Sequence, residues 1–581
     1  MKNASEKDLE SLLAPFDRTF FDPSQRFKVI GTGSLGGKAH GLAVIQDILA
    51  MSWDNTSFPG IDVSIPSLTV IRTDVFDAFL TRNELHKIAY ADEDDSYKAY
   101  AFQKADLPAE ILGDLRALVE QVHTPLAVRS SSLLEDALSE PFAGVYETKM
   151  IPNNQPSVDE RFRRLSEAVK FVYASTFFRS ARDYVRATSH RTEDEKMAVI
   201  LQEVVGSPVG DRFYPNVSGV ARSYNFYAMG RARPEDGVVS LALGLGKTIV
   251  DGGKCWTYSP AYPTIAPPYR SSVELVKSTQ STFWAVNMGK PPAYDPINER
   301  EYLVEGTLQD AEEDGRLQYI ASTYDPASDS RTPGTSRVGI RVLDFSMLLA
   351  SRELPVNQLV RNILAVCAES VGAPLEAEFA MTFDPPRFGF LQARPMVVSQ
   401  AEVTLTEADL RSDRTRIRSG TVLGNGIVDT ISDIVYVKPE MFATTSTRAI
   451  ADELADLNNV LTSSHRPYIL IGFGRWGSAD PFLGIPVAWG QISGAQAIVE
   501  ASIPDLNIDF SQGSHFFHNL TSFHVSYFCI RSGGSDSIDW QWLQSQRIVN
   551  DRKFTRHITL PNPLTLKVDG RSGTGMVASH E

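Results

Sequence analysis

The chain has 581 residues, 43% hydrophobic and 22% charged, the balance of a compact globular protein, and its length predicts three or four structural units. A formal net charge of −15 argues against a general nucleic-acid binder, which needs clustered Lys and Arg, but permits a nucleotide site built on a few local cations. Cys255, Cys367 and Cys529 lie far apart without a CxxC, and no apolar leader or 18-residue apolar run is present. This predicts a cytoplasmic protein with no disulfide framework, zinc finger, signal peptide or membrane span.

In chain order, Arg26 to Ile30 reads as a short strand running into Gly31-Thr32-Gly33-Ser34-Leu35-Gly36-Gly37-Lys38. A helix follows, with Leu42, Ile45 and Ile48 on one face. Leu107 to Val122 repeats apolar residues at helical spacing, with Pro108 near its start. A strand begins at Leu126, a long helix is expected over Arg161 to Arg186, and Met197 to Val205 reads as a buried strand. Strands and turns dominate Val217 to Tyr258, and Leu359 to Val371 is helical. Glu376 to Phe383 and Phe388 to Ala393 form a hairpin. Apolar density falls after Met396, which marks the main boundary. Beyond it, a helix over Thr445 to Leu461 alternates with strands at Tyr468 to Ile471 and Val525 to Ile530, with Ala495 to Val499 apolar.

Two familiar patterns fail on inspection. Gly31-x-Gly33-x-x-Gly36 matches a dinucleotide fingerprint, with Asp54 as its acidic partner, but a plain turn accounts for it as well. Gly246-Lys247-Thr248 resembles the end of a P-loop, yet the first glycine of that pattern would fall on Leu241.

Four separated segments make one coherent proposal. Lys38, after two glycines, suits a phosphate oxygen as a point charge. Arg129, delivered by the apolar strand Leu126-Ala127-Val128 into Ser130-Ser131-Ser132, can fork two phosphate oxygens. Gly144 and Thr148 lie on the other limb of that loop, and Gln202 ends an apolar strand that suits an adenine wall. A hairpin centred on Pro385 sets Glu378 opposite Gln392 and Glu376 opposite Arg394, all on one face. A carboxylate facing an amide oxygen suits Mg²⁺, and Arg394 suits phosphate. For each segment a structural reading competes: a solvated lysine, a capped turn, a buried strand end, a polar face with one ion pair.

Gly36-Gly37-Lys38-Ala39, Ala127-Val128-Arg129-Ser130-Ser131, Phe142-Ala143-Gly144, Glu147-Thr148, Ser218-Gly219-Val220, Gly244-Leu245-Gly246 and Leu391-Gln392-Ala393-Arg394-Pro395 occur in a recognisable order. From Gly31 to Met396 the sequence resembles the nucleotide-binding domain of phosphoenolpyruvate synthase, pyruvate phosphate dikinase and rifampin phosphotransferase. The resemblance implies an ATP-grasp fold with two subdomains. It implies ATP contacts from Lys38, Arg129, Gly144 and Thr148, with Gln202 at the adenine. It further implies Mg²⁺ on Glu378 and Gln392 and phosphate on Arg394. Lys247 and Ser180-Ala181 depart from the family pattern, which puts individual phosphate contacts in doubt. The dikinases' phosphate-carrying histidine motif and pyruvate-binding barrel have no counterpart after Met396.

The C-terminal part has two dense segments of its own. Gly472-Phe473-Gly474-Arg475-Trp476-Gly477-Ser478-Ala479-Asp480 reads as a glycine-rich loop for an anionic or planar ligand, and Ser511 to Asn519 concentrates polar groups around Ser514 and His515. His515 stays open between a structural role, a general base or substrate contact, and a phosphate carrier. Arg475, Trp476, Asp480, Ser514 and His515 are the candidate acceptor-binding residues. The whole reads as α+β: an extension (1–25), two ATP-grasp subdomains (26–215 and 216–400), a smaller α/β domain (401–570) and a flexible tail (571–581). The expected function is an ATP-dependent phosphotransferase, kinase or dikinase-like, using ATP and Mg²⁺. Lys38, Arg129 and Arg394 would act in catalysis, with His515 as an outside candidate. The acceptor is a small molecule or protein, with no nucleic acid or membrane partner; the oligomeric state is open. The alternative is a nucleotide-binding regulatory module without turnover.

Overall fold

A computed structural model describes residues 13–19, 22, 25–54, 56–135, 144–186, 188, 190–226, 228, 231–265, 269, 271–396, 403, 405–478, 480, 483–502, 515–531, 536–570 and 572–580. Two compact units emerge, both of mixed α+β character. The first holds residues 1–224, 235–249 and 254–395; the second holds 225–234, 250–253 and 396–581. Among the described residues no helix is long and apolar enough to cross a membrane.

The first unit is built on two six-stranded sheets. One runs in the order Ala14–Pro15, Phe27–Ile30, Leu68–Ile71, Met197–Glu203, Leu126–Ser132, Thr148–Ile151. Its first three strands are parallel, and the rest pair antiparallel. The other runs Trp256–Tyr258, Val238–Ala242, Val217–Arg222, Leu375–Phe383, Pro386–Pro395, Asp62–Ser64. A four-stranded and a three-stranded sheet complete the unit.

The helix Gly36–Ser52 packs against both sheets and buries Leu42, Ala43, Ile45 and Ile48, the face read from the sequence. Two of its glycines are required by close approach. A Cβ on Gly36 would lie 1.8 Å from the Ser131 carbonyl oxygen, and one on Gly41 would lie 2.8 Å from that of Ala393. The helix is thus wedged between the strand that carries Arg129 and the strand that carries Gln392. Leu42 is fully buried, so its truncation to Ala would cost about 2–5 kcal/mol.

The long helix expected over Arg161 to Arg186 is two, Val158–Ser175 and Arg179–Arg186. The helix Asp95–Lys104 captures the break: Asp95 accepts from the Arg179 N–H at 2.7 Å, and the buried Lys98 ammonium donates to the Phe177 carbonyl at 3.0 Å.

The hairpin pairs Glu376 with Arg394 and Glu378 with Gln392, as expected. It does so by another route. The turn lies between Phe383 and Pro386, and a bulge between Glu378 and Phe379 on one strand, opposite Leu391, restores the pairing.

The second unit holds a ten-stranded sheet. Gly426–Val437, Tyr468–Phe473, Ala495–Ala501 and Ser526–Ile530 run parallel at its centre. Thr555–Asp569, Thr574–Ala578 and Thr415–Ser419 extend it antiparallel. The helix Thr447–Ser463 buries Ile450, Leu454, Leu457 and Leu461. The tail expected to be flexible is therefore corrected: Thr574–Ala578 is paired on both edges, with Met576 and Val577 buried, and the glycines before it fall in the turn between two strands.

Candidate functional site

The strand Leu126–Ser132 positions the centre of the site. Arg129 lies opposite Thr148 on one side and Ile200 on the other. Its Nη1 donates to Gln202 Oε1 at 3.0 Å and to the Leu391 carbonyl at 2.6 Å, and its Nη2 donates to Gln392 Oε1 at 2.9 Å. Glu378 Oε2 stands 3.8 Å from the same Nη2. One guanidinium thus ties the first sheet to the bulge of the hairpin, whose extra residue offers the carbonyl.

Two buried atoms at this cluster lack hydrogen-bond partners among the described residues: Glu378 Oε1 and Gln202 Nε2. An unsatisfied carboxylate oxygen in a water-poor site is costly, roughly 1–3 kcal/mol or more, unless a ligand completes it. The hard oxygens of Glu378 and Gln392, directly paired across the hairpin, fit Mg²⁺. Among the described residues no group of three or more His, Cys, Asp or Glu side chains is arranged to hold a metal, so a metal here would take its other ligands from substrate and water.

Lys38 is buried at the start of its helix, 2.7 Å from Glu135 Oε1 and 3.4 Å from Ser130 Oγ. Arg394 is almost fully buried and forms a two-bond ion pair with Glu376, whose other oxygen meets Arg222. Thr148 begins the outer strand, and Gly144 sits exposed in the turn before it with φ +67°. Phe142 and Ala143 lie outside the described residues.

The fingerprint-like turn serves the fold. Asp74 accepts from the Gly33 N–H at 2.9 Å and the Thr32 hydroxyl at 3.2 Å. Burial pushes the Asp74 carboxyl up, but the N–H groups of Gly33 and Thr32 outweigh it and hold it below its ordinary value. Asp54 closes its own turn with Thr56 and Ser57. Lys247 lies in a short helix 3.3 Å from Glu299.

In the second unit the segment expected to form a ligand loop is largely framework. Arg475–Trp476 is a short strand paired with Gly484–Ile485, and both side chains are buried. Arg475 donates to the carbonyls of Gly252 and Gly253 at 2.8 and 3.2 Å, and Trp476 Nε1 donates to that of Val499 at 3.4 Å. The Asp480 N–H bonds the Ser478 hydroxyl at 3.2 Å. His515 is half-buried at the first turn of the helix His515–Ser522, and Ser514 lies outside the described residues.

Sequence reasoning missed three participants. Glu135 follows the Arg129-Ser130-Ser131-Ser132 run by three residues, and nothing in the sequence there points to Lys38 as its partner. Arg222 gave no signal, because it reaches Glu376 across 154 residues of chain. Leu391 contributes only a carbonyl, which any residue would supply.

The sequence model of the family described as "Pyruvate phosphate dikinase, AMP/ATP-binding domain" matches residues 32–414. No curated protein matches the chain. The match spans well over half of the chain and contains Lys38, Arg129, Gly144, Thr148, Gln202, Glu378, Gln392 and Arg394, so this protein belongs to the family that carries the pyruvate phosphate dikinase AMP/ATP-binding domain.

Proposed function

We propose that the protein binds ATP with Mg²⁺ in an ATP-grasp-type site of its first unit and transfers a phosphoryl group to an acceptor. The unpartnered Glu378 Oε1, beside the Gln392 amide and the Arg129 guanidinium, is the observation that carries this reading. Glu378 and Gln392 would hold Mg²⁺, which when bound would offset phosphate charge. Lys38 and Arg129 would hold the phosphates as fixed donors, and phosphoryl transfer rests mostly on such positioning and electrostatics. Arg394, locked on Glu376, would be a fixed group near the phosphates rather than a mobile clamp. The unpartnered Gln202 amide would donate to an acceptor nitrogen of the base, and Gly144 and Thr148 would close over the phosphates.

The test is ATP turnover by wild type, Arg129→Ala and Glu378→Ala. Equal activity in all three sinks the proposal. The product distinguishes the chemistry: ADP marks a simple kinase, and AMP with phosphate marks a dikinase-like reaction. One observation favours the second reading, a nucleotide-binding module without turnover: the Arg129 guanidinium is already held by protein oxygens on both terminal nitrogens. That reading predicts thermal stabilisation by ATP without any product.

A further inference from the structure

The environment of Lys38 is built from one short stretch of chain. Its ammonium meets two groups among the described residues, Glu135 Oε1 at 2.7 Å and Ser130 Oγ at 3.4 Å. At least one of its three N–H bonds is left over. The Glu135 carboxylate is anchored independently of the lysine. It accepts from the Ser130 hydroxyl at 3.0 Å and the Ser132 N–H at 3.2 Å, and its own N–H bonds Ser132 Oγ at 3.1 Å. Both side chains of the pair are at least nine-tenths buried, Lys38 8% and Glu135 3% exposed. An ammonium left unpaired at that depth would be costly and would swing towards water.

The other carboxylate nearby is engaged elsewhere. Glu195 accepts from the Tyr146 hydroxyl at 2.6 Å and from the Leu133 and Lys196 N–H groups at 3.0 Å each. Glu135 needs no contact with nucleotide to matter.

We infer that Glu135 is a positioning residue of the nucleotide site: it holds the Lys38 side chain aimed, so that nucleotide affinity depends on Glu135 through Lys38 alone. The inference rests on the reading of Lys38 as a phosphate contact. A rival role for Glu135 is that of a competitor, whose loss would free Lys38 and tighten binding. The fixed anchoring by Ser130 and Ser132 favours positioning, since a competitor would need to be displaced by the incoming phosphate.

The test is a double-mutant cycle on the full chain, with binding of a non-hydrolysable ATP analogue and Mg²⁺ read by calorimetry. E135Q should weaken binding at least about tenfold in the natural background and less than about twofold in the K38M background. E135D, which keeps the charge, should recover most of the affinity. Equal losses in both backgrounds, or unchanged or tighter binding in E135Q, overturn the inference. Melting temperature gives an arm without nucleotide. E135Q should lower it, and K38M should relieve that loss by removing the stranded charge. Additive melting shifts overturn the inference as well. Wild type that shows coupled melting but binds no analogue overturns the reading of the site as a nucleotide site, and the positioning role with it. Should E135Q fail to fold, a folded E135Q/K38M double variant supports the inference and an unfolded one overturns it.

Discussion

Both units bury ionised groups, but one carboxylate of the first unit is completed differently from its counterparts in the second. In the second unit Asp433 accepts from Arg466 at 2.9 and 2.5 Å and meets His557 Nε2 at 2.8 Å, so both carboxylate oxygens are occupied. Glu453 likewise takes the Phe554 and Thr555 N–H groups and the Thr555 hydroxyl. In the first unit Glu378 has one oxygen 3.8 Å from an arginine and the other facing nothing among the described residues. A closed network holds a fold together; an open one at similar burial marks where a ligand would complete it.

Arg129→Ala would break the comparison most severely. It removes a phosphate donor and a strut to Gln202, Leu391 and Gln392 together, so turnover should fall by roughly 10²–10³-fold and the first unit should lose stability. Steady-state kinetics with a thermal melt checks both. Asp433→Asn should do the opposite: about 3 kcal/mol of stability lost, with Arg466 and His557 left facing a neutral amide, and ATP affinity unchanged by calorimetry. Glu378→Gln sharpens the contrast. It should cost roughly tenfold or more in Mg²⁺-dependent nucleotide binding while moving the melting temperature less than Asp433→Asn does, because among the described residues Glu378 Oε1 has no hydrogen-bond partner and Oε2 has only the long 3.8 Å ion pair to Arg129.

The last contrast is a pH dependence with opposite signs at two carboxylates. Burial pushes the Asp433 carboxyl up, but His557 and Arg466 outweigh it and hold it below its ordinary value. Its stabilisation is therefore present above the unfolded value and lost as pH falls through the lowered folded one. Burial pushes Glu500 up to about 8, against a small opposing pull from Arg475. The folded state then binds the extra proton, so stability should decline by at most about 1.4 kcal/mol per pH unit as pH rises from the ordinary carboxylate range towards 8. Glu500→Gln should flatten that decline, which melts across this pH range would show.

Local patterns carried most of what was legible. Lys38 and Arg129 stand beside glycines and apolar strand residues, and the helix Gly36–Ser52 follows its own periodicity. The pairing of Glu378 with Gln392 was reachable only because the bulge at Leu391 offsets the displaced turn; strict alternation from the real turn would set Glu378 against Leu391. What stayed hidden depended on distant chain. The buried Arg222–Glu376–Arg394 cluster needs three strands in register. The fifteen-residue strand Thr555–Asp569 contains Pro561 and Pro563, which read against a strand; they are exposed where the pairing with Gly426–Val437 slips. Arg475 and Trp476 looked like loop residues because glycines flank them, yet those glycines admit close packing: a Cβ on Gly472 would lie 2.3 Å from the Trp476 ring.

The bulge at Leu391 has a consequence for how this hairpin tolerates change. Deleting one residue from a strand normally sends every later side chain to the opposite face. Here Phe379 pairs with Phe390 and Glu378 with Gln392, so Leu391 is the single position whose deletion leaves every other pair as it was. Loss of that residue would spare the Glu378–Gln392 couple and remove one oxygen from the grip on Arg129. A deletion scan along the strand should therefore find one permissive position amid intolerant neighbours, and the guanidinium there should be freer to turn towards a ligand.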